Sequence, residues 1–307
     1  MNIKDLQYVI AVAETHHFGR AAERCHVSQP TLSGQLKKLE ESLGITLFER
    51  TNRSVEITPI GEAVVEHAYR ILEQTEAITQ LAAAHQDPLA GPLRLGVIPT
   101  LSPYLMPLIL APLKQNYPQL KLILSEEMTD SLLNRLHHHE LDAALLATSI
   151  DEPSLQSIPL FNEPFWLAHP QNHPLSSKKK LTSADLDSTD LLLLAEGHCL
   201  AKQAMEVCHL KHRVEQGELA DLRAASLETL LQLVAAGFGA TLVPALAISS
   251  PSCRDENIRL QPLNFPNAHR KVSLVFRASF PRRQVLDAFA ALVQSRLPSS
   301  VKILGMQ

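Results

Sequence analysis

The chain has 307 residues, of which 45% are hydrophobic and 20% charged, with a formal net charge of −4 and four cysteines. That length suggests two domains, and the balance excludes disordered, collagen-like and disulfide-scaffold classes. No apolar run approaches about 18 residues and no basic leader precedes an apolar stretch at the start, so a cytoplasmic protein with no membrane partner is expected. Cys25, Cys199, Cys208 and Cys253 are too few to staple such a chain, and in a reducing compartment a disulfide among them would be a switch.

The first segment is helical by period. Leu6, Val9, Ile10 and Ala13 share one face, then Ala21, Ala22 and Cys25, then Leu32, Leu36, Leu39 and Leu43. Only His26, Val27 and Ser28 separate the second and third helices, and Pro30 suits a helical first turn, so the segment is a helix-turn-helix. After Gly44, β-prone runs from Thr46 to Glu49 and from Val55 to Thr58 flank the turn Asn52-Arg53-Ser54, which adds a wing. Thr58-Pro59 then opens a helix to about His85. In it Val64, Ile71 and Ile78 repeat every seven residues, with Ala68, Thr75 and Ala82 four further on, the seam of a dimerising linker. A domain of about 60 residues has little core for so long a helix to cover. Asp87-Pro88 and Gly91-Pro92 mark a hinge.

From Leu93 onward strands alternate with helices: LRLGVI, a helix near Ser102 to Asn116, KLILS, a helix near Asp130 to Glu140, and DAALLA. A second set follows in PFWLAHP, LLLLA, a helix after His198, SLETLLQLVAAG and GATLVPA, and RKVSLVFR with a last helix from about Arg282 to Leu297 returns to the first style. The expectation is an α/β regulatory domain of two lobes built on parallel sheet, with a cleft at the strands' carboxyl ends. The boundaries are 1–60 for the winged helix-turn-helix and 61–90 for the linker helix and hinge. The regulatory domain is 91–307, with lobe I about 91–163 and 268–307 and lobe II about 164–267.

Residues 1–65 carry seven basic and eight acidic side chains, so composition alone does not point to nucleic acid there. The order of the residues does. The stretch AAERCHVSQPTLSGQLKKLEESLGITLFERTNRSVEITPIG resembles the LysR-type transcriptional regulators, with Ala-Ala, Ser-Gln, Leu-Glu, Leu-Gly, Leu-Phe-x-Arg and Thr-Pro-x-Gly all in register. A third helix that opens with Gln29, Thr31 and Ser33, around Pro30, can offer the short hydrogen-bonding groups of those three residues to base edges in a major groove, and Pro30 belongs to the same DNA-binding set. Lys37, Lys38 and Arg50 can neutralise phosphates, and Arg53 at the wing tip can follow a minor groove. The resemblance extends over nearly the whole chain and implies a periplasmic-binding-protein-like effector domain. It further implies double-stranded promoter DNA, a homotetramer built as a dimer of dimers, and contact with RNA polymerase.

Within that family, EGHCLAKQAMEVC, Glu196 to Cys208, is similar to the redox segment of the hydrogen-peroxide sensors, and SLETLLQLVAAGFGATLVPALA is similar to the same subgroup. The resemblance makes Cys199 the peroxidatic cysteine, Cys208 its resolving partner, hydrogen peroxide the effector and a thiol reductant the means of resetting. Thr100, Thr129 and His198 would form the pocket with Cys199, with Arg277 nearby. The residues themselves agree in part. Gly197 and His198 precede the amphipathic run Leu200, Ala201, Ala204, Met205 and Cys208, which puts Cys199 at a helix amino terminus. There the helix dipole and a protonated His198 favour a thiolate. Nine residues of helix span roughly 13.5 Å, whereas disulfide Cα atoms lie within about 7 Å, so the helix must break for the pair to join. Thr100 and Thr129 follow strands and so fall at cleft mouths, although each could equally cap a helix, as could Ser226.

No cofactor or metal is expected. His137, His138 and His139 are adjacent and cannot all face one point. Cys25 lies on the buried face of its helix, Cys253 in a polar loop and Trp166 in a core strand. Two other readings remain open from sequence: a metabolite-responsive regulator with incidental cysteines, and a thiol peroxidase, which would leave the winged helix unexplained.

Overall fold

The computed structural model describes residues 1–50, 55–84, 89–187, 189, 191–208 and 223–305, in two compact units, Met1–Gln86 and Asp87–Gln307. No helix among the described residues is long and apolar enough to cross a membrane.

The first unit opens with α1 (Ile3–Thr15), α2 (Phe18–Arg24) and α3 (Gln29–Leu43). Each begins with a side chain that accepts an otherwise unpaired backbone N–H. Asn2 and Asp5 cap α1 reciprocally, His17 Nδ1 accepts from Gly19, and Ser28 Oγ accepts from Thr31. Gly44, in the left-handed region, ends α3. Ala21 and Ala22 are buried in a core with Val9, Val12, Leu32, Leu36, Leu39, Leu47 and Phe48. The hairpin of β1 (Phe48–Arg50) and β2 (Val55–Ile57) is antiparallel. Its tip, with Arg53, lies outside the described residues, as do the Asp87-Pro88 part of the hinge and the C-terminal end expected for the linker at His85.

Thr58 starts α4 (Pro59–Ala84): its hydroxyl accepts from the Gly61 N–H at 3.0 Å and donates to the Thr46 carbonyl at 2.8 Å. The seam expected along α4 is divided. Val64 leans on the helix-turn-helix core and Ala68 is fully buried beside Leu6 and Ile10 of α1, whereas Ile71 and Ile78 are exposed. The first half of α4 thus packs on its own unit, contrary to the expectation that this domain had too little core to hold it. The seam's exposed isoleucines fall further along.

The second unit is built on β3 (Gly91–Val97), α5 (Ser102–Asn116), β4 (Leu120–Glu126), α6 (Thr129–His137), β5 (Ala143–Leu146) and β6 (Leu155–Pro170). There follow α7 (Ser183–Asp187), β7 (Leu193–Leu194), α8 (Cys199–Val207), β8 (Arg223–Ala224), α9 (Leu227–Ala235), β9 (Thr241–Pro244), β10 (Ile258–Pro262), β11 (His269–Arg277), α10 (Arg283–Arg296) and β12 (Lys302–Ile303). The main sheet runs β10-β6-β11-β5-β3-β4, with β9 and β12 also paired to β6. It is parallel only among β3, β4 and β5; β6 and β11 pair antiparallel. The wholly parallel sheet expected from the βα alternation is therefore a mixed one. The sixteen-residue β6 begins well before the expected PFWLAHP and joins two hydrophobic cores. One core gathers β3, β5, β11, α5 and α10 around Phe161, Phe276 and Phe289; the other surrounds Phe165 with α8, α9 and β9. We call these lobe I and lobe II.

Candidate functional site

Where β3 and β4 end, the chain turns into helices facing the start of α8, and the three meet at a narrow pocket. Ile98, Pro99, Thr100, Met128, Thr129, Gly197, His198 and Cys199 line it. Gly197 adopts φ +94°, a left-handed turn that glycine makes without strain and that delivers His198 and Cys199 into the pocket. His198 is the residue at which α8 starts, yet its side chain makes no cap bond, so the first N–H groups of the helix stay available. Cys199 uses them: the backbone N–H groups of Cys199 and Leu200 act on its sulfur and favour the thiolate.

Cys199 is half-buried and packs against the lobe I core. Burial pushes its thiol up from the ordinary cysteine value; the Arg270 charge, the Thr129 hydroxyl and the two backbone donors all oppose that rise without cancelling it. The helix terminus favours the thiolate, as expected, but burial outweighs it. The cation acting on the sulfur is Arg270, while His198 Nε2 is paired with the Ala225 carbonyl at 3.0 Å.

Arg270 is the residue that sequence reading missed. Its guanidinium donates to Thr100 Oγ1 and to the Thr100 carbonyl, both at 2.9 Å, and to Glu163 Oε2 at 2.8 Å in an ion pair with both side chains fully buried. Because Thr100 Oγ1 accepts from arginine, its own proton is free to be donated elsewhere. Glu163 in turn accepts from the Leu246 N–H at 2.8 Å. Thr129 Oγ1 is buried and lacks a conventional hydrogen-bond partner, leaving it available to the sulfur or to a small guest. Arg277, expected beside the pocket, stands at the other end of β11 from Arg270, roughly 24 Å along the strand at about 3.4 Å per residue. It donates to the Leu136 and Leu141 carbonyls, closing the carboxyl end of α6. The register with β6 shifts between Val272 and Ser273, where the extra residue, Leu160, lies on β6.

At its carboxyl end α8 reaches Cys208, which is fully buried in lobe II beside Leu200, Ala204 and Val207. Neither cysteine is in a disulfide. They thus belong to different cores, at opposite ends of one helix. Cys253 sits in a short turn and is buried in the lobe II core, and Cys25 is half-buried just past α2. Ser226 caps α9 by accepting from Thr229.

In the first unit, Gln29, Pro30, Thr31, Lys37 and Lys38 are exposed along α3 and Ser33 is half-buried. The Thr31 hydroxyl is shared with Ser28 Oγ at 2.7 Å, and Lys37 lies 3.9 Å from Glu41. Arg50 stands in β1 opposite Val55. Several residues of the family-like stretch have structural work instead. Glu40 Oε1 accepts from the N–H groups of Leu47 and Phe48, and a Cβ at Gly61 would lie 2.4 Å from the Leu47 carbonyl oxygen.

A winged helix-turn-helix joined to a two-lobed α/β unit defines a class of ligand- or signal-responsive DNA-binding regulators. The family of bacterial regulatory helix-turn-helix proteins, lysR family, matches residues 3–62, and the LysR substrate binding domain matches residues 86–298. A hydrogen peroxide-inducible genes activator from Dickeya chrysanthemi is 40% identical over 307 residues, 100% of this chain and 99% of its own. The DNA-binding transcriptional dual regulator OxyR of Escherichia coli K12 is 41% identical over 97% of this chain and 96% of its own. A full-length OxyR variant from Pseudomonas aeruginosa superposes with a TM-score of 0.79 at 38% identity, covering 100% of this chain and 99% of that one. The chain belongs to the LysR-type transcriptional regulators and, within them, to the OxyR family. It is a regulator rather than an enzyme, which removes the thiol-peroxidase reading.

Proposed function

We propose that this chain is a promoter-binding transcriptional regulator of the oxidative-stress response, switched by hydrogen peroxide through a reversible Cys199–Cys208 disulfide. The observation that carries the reading is the placement of two cysteines, not joined by a disulfide, in separate cores at the two ends of α8, the first beside hydroxyls able to bind a small neutral oxidant. Peroxide can accept from Thr100 or Thr129 and donate to the sulfur or a carbonyl, with no charged clamp. The Cys199 thiolate attacks one peroxide oxygen; the O–O bond breaks, hydroxide leaves and is protonated to water, and a sulfenic acid remains. The Cys208 sulfur then attacks the Cys199 sulfur, the S–O bond breaks and a second water leaves. The two electrons lost by the thiols are those gained by peroxide. A dithiol reductant reverses the exchange.

Lengthwise, α8 keeps the two Cα atoms roughly 13.5 Å apart at 1.5 Å per residue, beyond the roughly 7 Å limit of a disulfide. Oxidation therefore unwinds the segment and repacks the second unit, which alters how paired chains present their winged helices to DNA. Gln29, Thr31 and Ser33 read bases with Pro30 shaping the first turn between them, Lys37, Lys38 and Arg50 hold phosphates, and Arg53 follows the minor groove. The exposed isoleucines of α4 pair chains, and regulatory units pair again to give a tetramer that contacts RNA polymerase from the cytoplasm. The test is peptide mapping with dimedone trapping after a short peroxide pulse. Wild-type protein is expected to yield the Cys199–Cys208 disulfide and Cys208→Ser a trapped sulfenic acid at Cys199. Cys199→Ser is expected to show neither, and its footprint on promoter DNA to stay in the reduced form. A peroxide-driven footprint shift in Cys199→Ser would overturn the reading.

A further inference from the structure

The three faces of α8 are differently committed. Leu200, Ala204, Val207 and Cys208 pack into lobe II, Lys202 and Glu206 are exposed, and Cys199 packs on lobe I. One turn after Cys199, on its face, stands Gln203. Its Nε2 donates to the Ala147 carbonyl at 2.7 Å, and Ala147 belongs to the lobe I core just past β5. The other end of the amide, Oε1, is buried without a partner. This bond therefore ties the middle of the redox helix, whose remaining apolar anchors are in lobe II, to the opposite lobe.

We infer that Gln203 is a positioning residue: its bond to the Ala147 carbonyl holds α8 wound against lobe I in the dithiol form and sets the thiol–disulfide equilibrium of Cys199 and Cys208. This rests on the disulfide reading given above. For Cys199 to reach Cys208 it must leave lobe I, and the helical turn it opens, closed by the Gln203 N–H on the Cys199 carbonyl, must come apart. The Gln203 side chain is carried off Ala147 in the same movement. Its bond belongs to one state of the switch and is lost in the other, so its worth enters the equilibrium directly. A single neutral hydrogen bond changes such a constant by roughly fivefold. The unpartnered Oε1 keeps the latch weak, because unwinding lets water reach an oxygen that the wound state leaves dry.

Substitution of the donor tests this. Gln203→Glu keeps the shape but presents an acceptor to the Ala147 carbonyl, while Gln203→Lys keeps a donor of sufficient reach. Full-length variants are equilibrated in mixtures of oxidised and reduced dithiothreitol, in which two electrons pass between the dithiol and the cysteine pair, and the disulfide fraction is read by alkylation and mass spectrometry. Gln203→Glu is expected to favour the disulfide at least about fivefold over wild type at pH 7.5, with the gap shrinking at pH 5.5 as the introduced carboxyl regains a proton to donate. Gln203→Lys is expected to stay within about twofold of wild type. A second measurement guards against a variant that does not fold: in wild-type protein labelled with 15N-glutamine, the side-chain amide signal absent from Gln203→Lys should exchange slowly with solvent in the dithiol form and rapidly in the disulfide form. Equal equilibria for Gln203→Glu and wild type, an equal shift in both variants, or an amide indifferent to redox state would overturn the latch while leaving the disulfide in place. Wild-type protein that forms no Cys199–Cys208 disulfide would instead overturn the switch itself, and the latch with it.

Discussion

The winged helix and the thiol pocket divide their labour in opposite ways. In the first unit, the residues that make the sequence recognisable are largely architectural: Ala21 and Ala22 are buried in the core, Glu40 closes the approach to the hairpin, and Thr58 and Gly61 dock α4 on Leu47. Gln29, Pro30, Thr31, Lys37 and Lys38 stand exposed around them. In the pocket the same groups do both jobs. Thr100, Thr129 and Arg270 are nearly or wholly inaccessible, and the chemistry at Cys199 is inseparable from the packing that holds it. A surface that reads DNA tolerates loss of a functional group without unfolding, whereas a buried sensor should not, and this difference can be broken in several ways.

The largest expected effect is at Arg270. Arg270→Met leaves Glu163 charged, buried and unpaired, which costs about 3–5 kcal/mol; the melting temperature should fall accordingly. Arg270→Met with Glu163→Gln should recover much of that loss, yet Cys199 oxidation should remain slower than in wild type, because the charge that lowers its thiol is gone. Recovery of both together would mean that Arg270 serves the fold alone.

Next comes the chemistry at the sulfur. Thr129→Val removes a buried hydroxyl that lacks a conventional partner, so stability should hold while sulfenic acid forms on the order of tenfold more slowly, as a hydrogen bond to a charged group is worth about 1.5–3 kcal/mol. The thiol of Cys199 is raised, so the thiolate fraction at neutral pH is small and grows as pH rises. Oxidation by peroxide should therefore accelerate from neutral into alkaline solution. Stopped-flow measurement on Cys208→Ser checks both, and a rate flat across that range would contradict the raised thiol.

Smaller effects are expected in the first unit, where Gly61 and Gly34 make a controlled pair. Gly61→Ala drives a Cβ into a backbone oxygen and should destabilise the winged helix by about 1–3 kcal/mol. At Gly34, on the exposed face of α3, a Cβ meets nothing within 4 Å. Gly34→Ala should stabilise that helix by up to about 1 kcal/mol, so any loss of DNA affinity measures how closely the duplex approaches α3.

Much of this was legible in the sequence. The periodicities of α1 and α3 and the turn residues around them are local signals, and Thr100, Thr129 and His198 could be placed because each follows a strand or precedes a helix. What escaped depends on long-range pairing. Pro159 and Pro164 hide the continuity of β6, so the expected strand begins only at Pro164, just after Glu163. Arg270 and Arg277 sit in one β-prone run, and only the neighbouring strands and helices decide which enters the pocket. The split along α4 turns on Leu6 and Ile10, some sixty residues away. Gln203 looked like an ordinary polar position on an amphipathic helix; its role needs the Ala147 carbonyl, which no local pattern announces.

The central claim is that α8 cannot survive the disulfide. Hydrogen exchange across residues 199–208 of the full-length protein, reduced and after a peroxide pulse, tests it most directly. The amides of Gln203 through Val207, bonded within the helix, should be protected in the reduced protein and exchange freely once the disulfide forms. In Cys208→Ser carrying a sulfenic acid they should stay protected. Protection unchanged in protein shown to contain the Cys199–Cys208 disulfide would contradict the account.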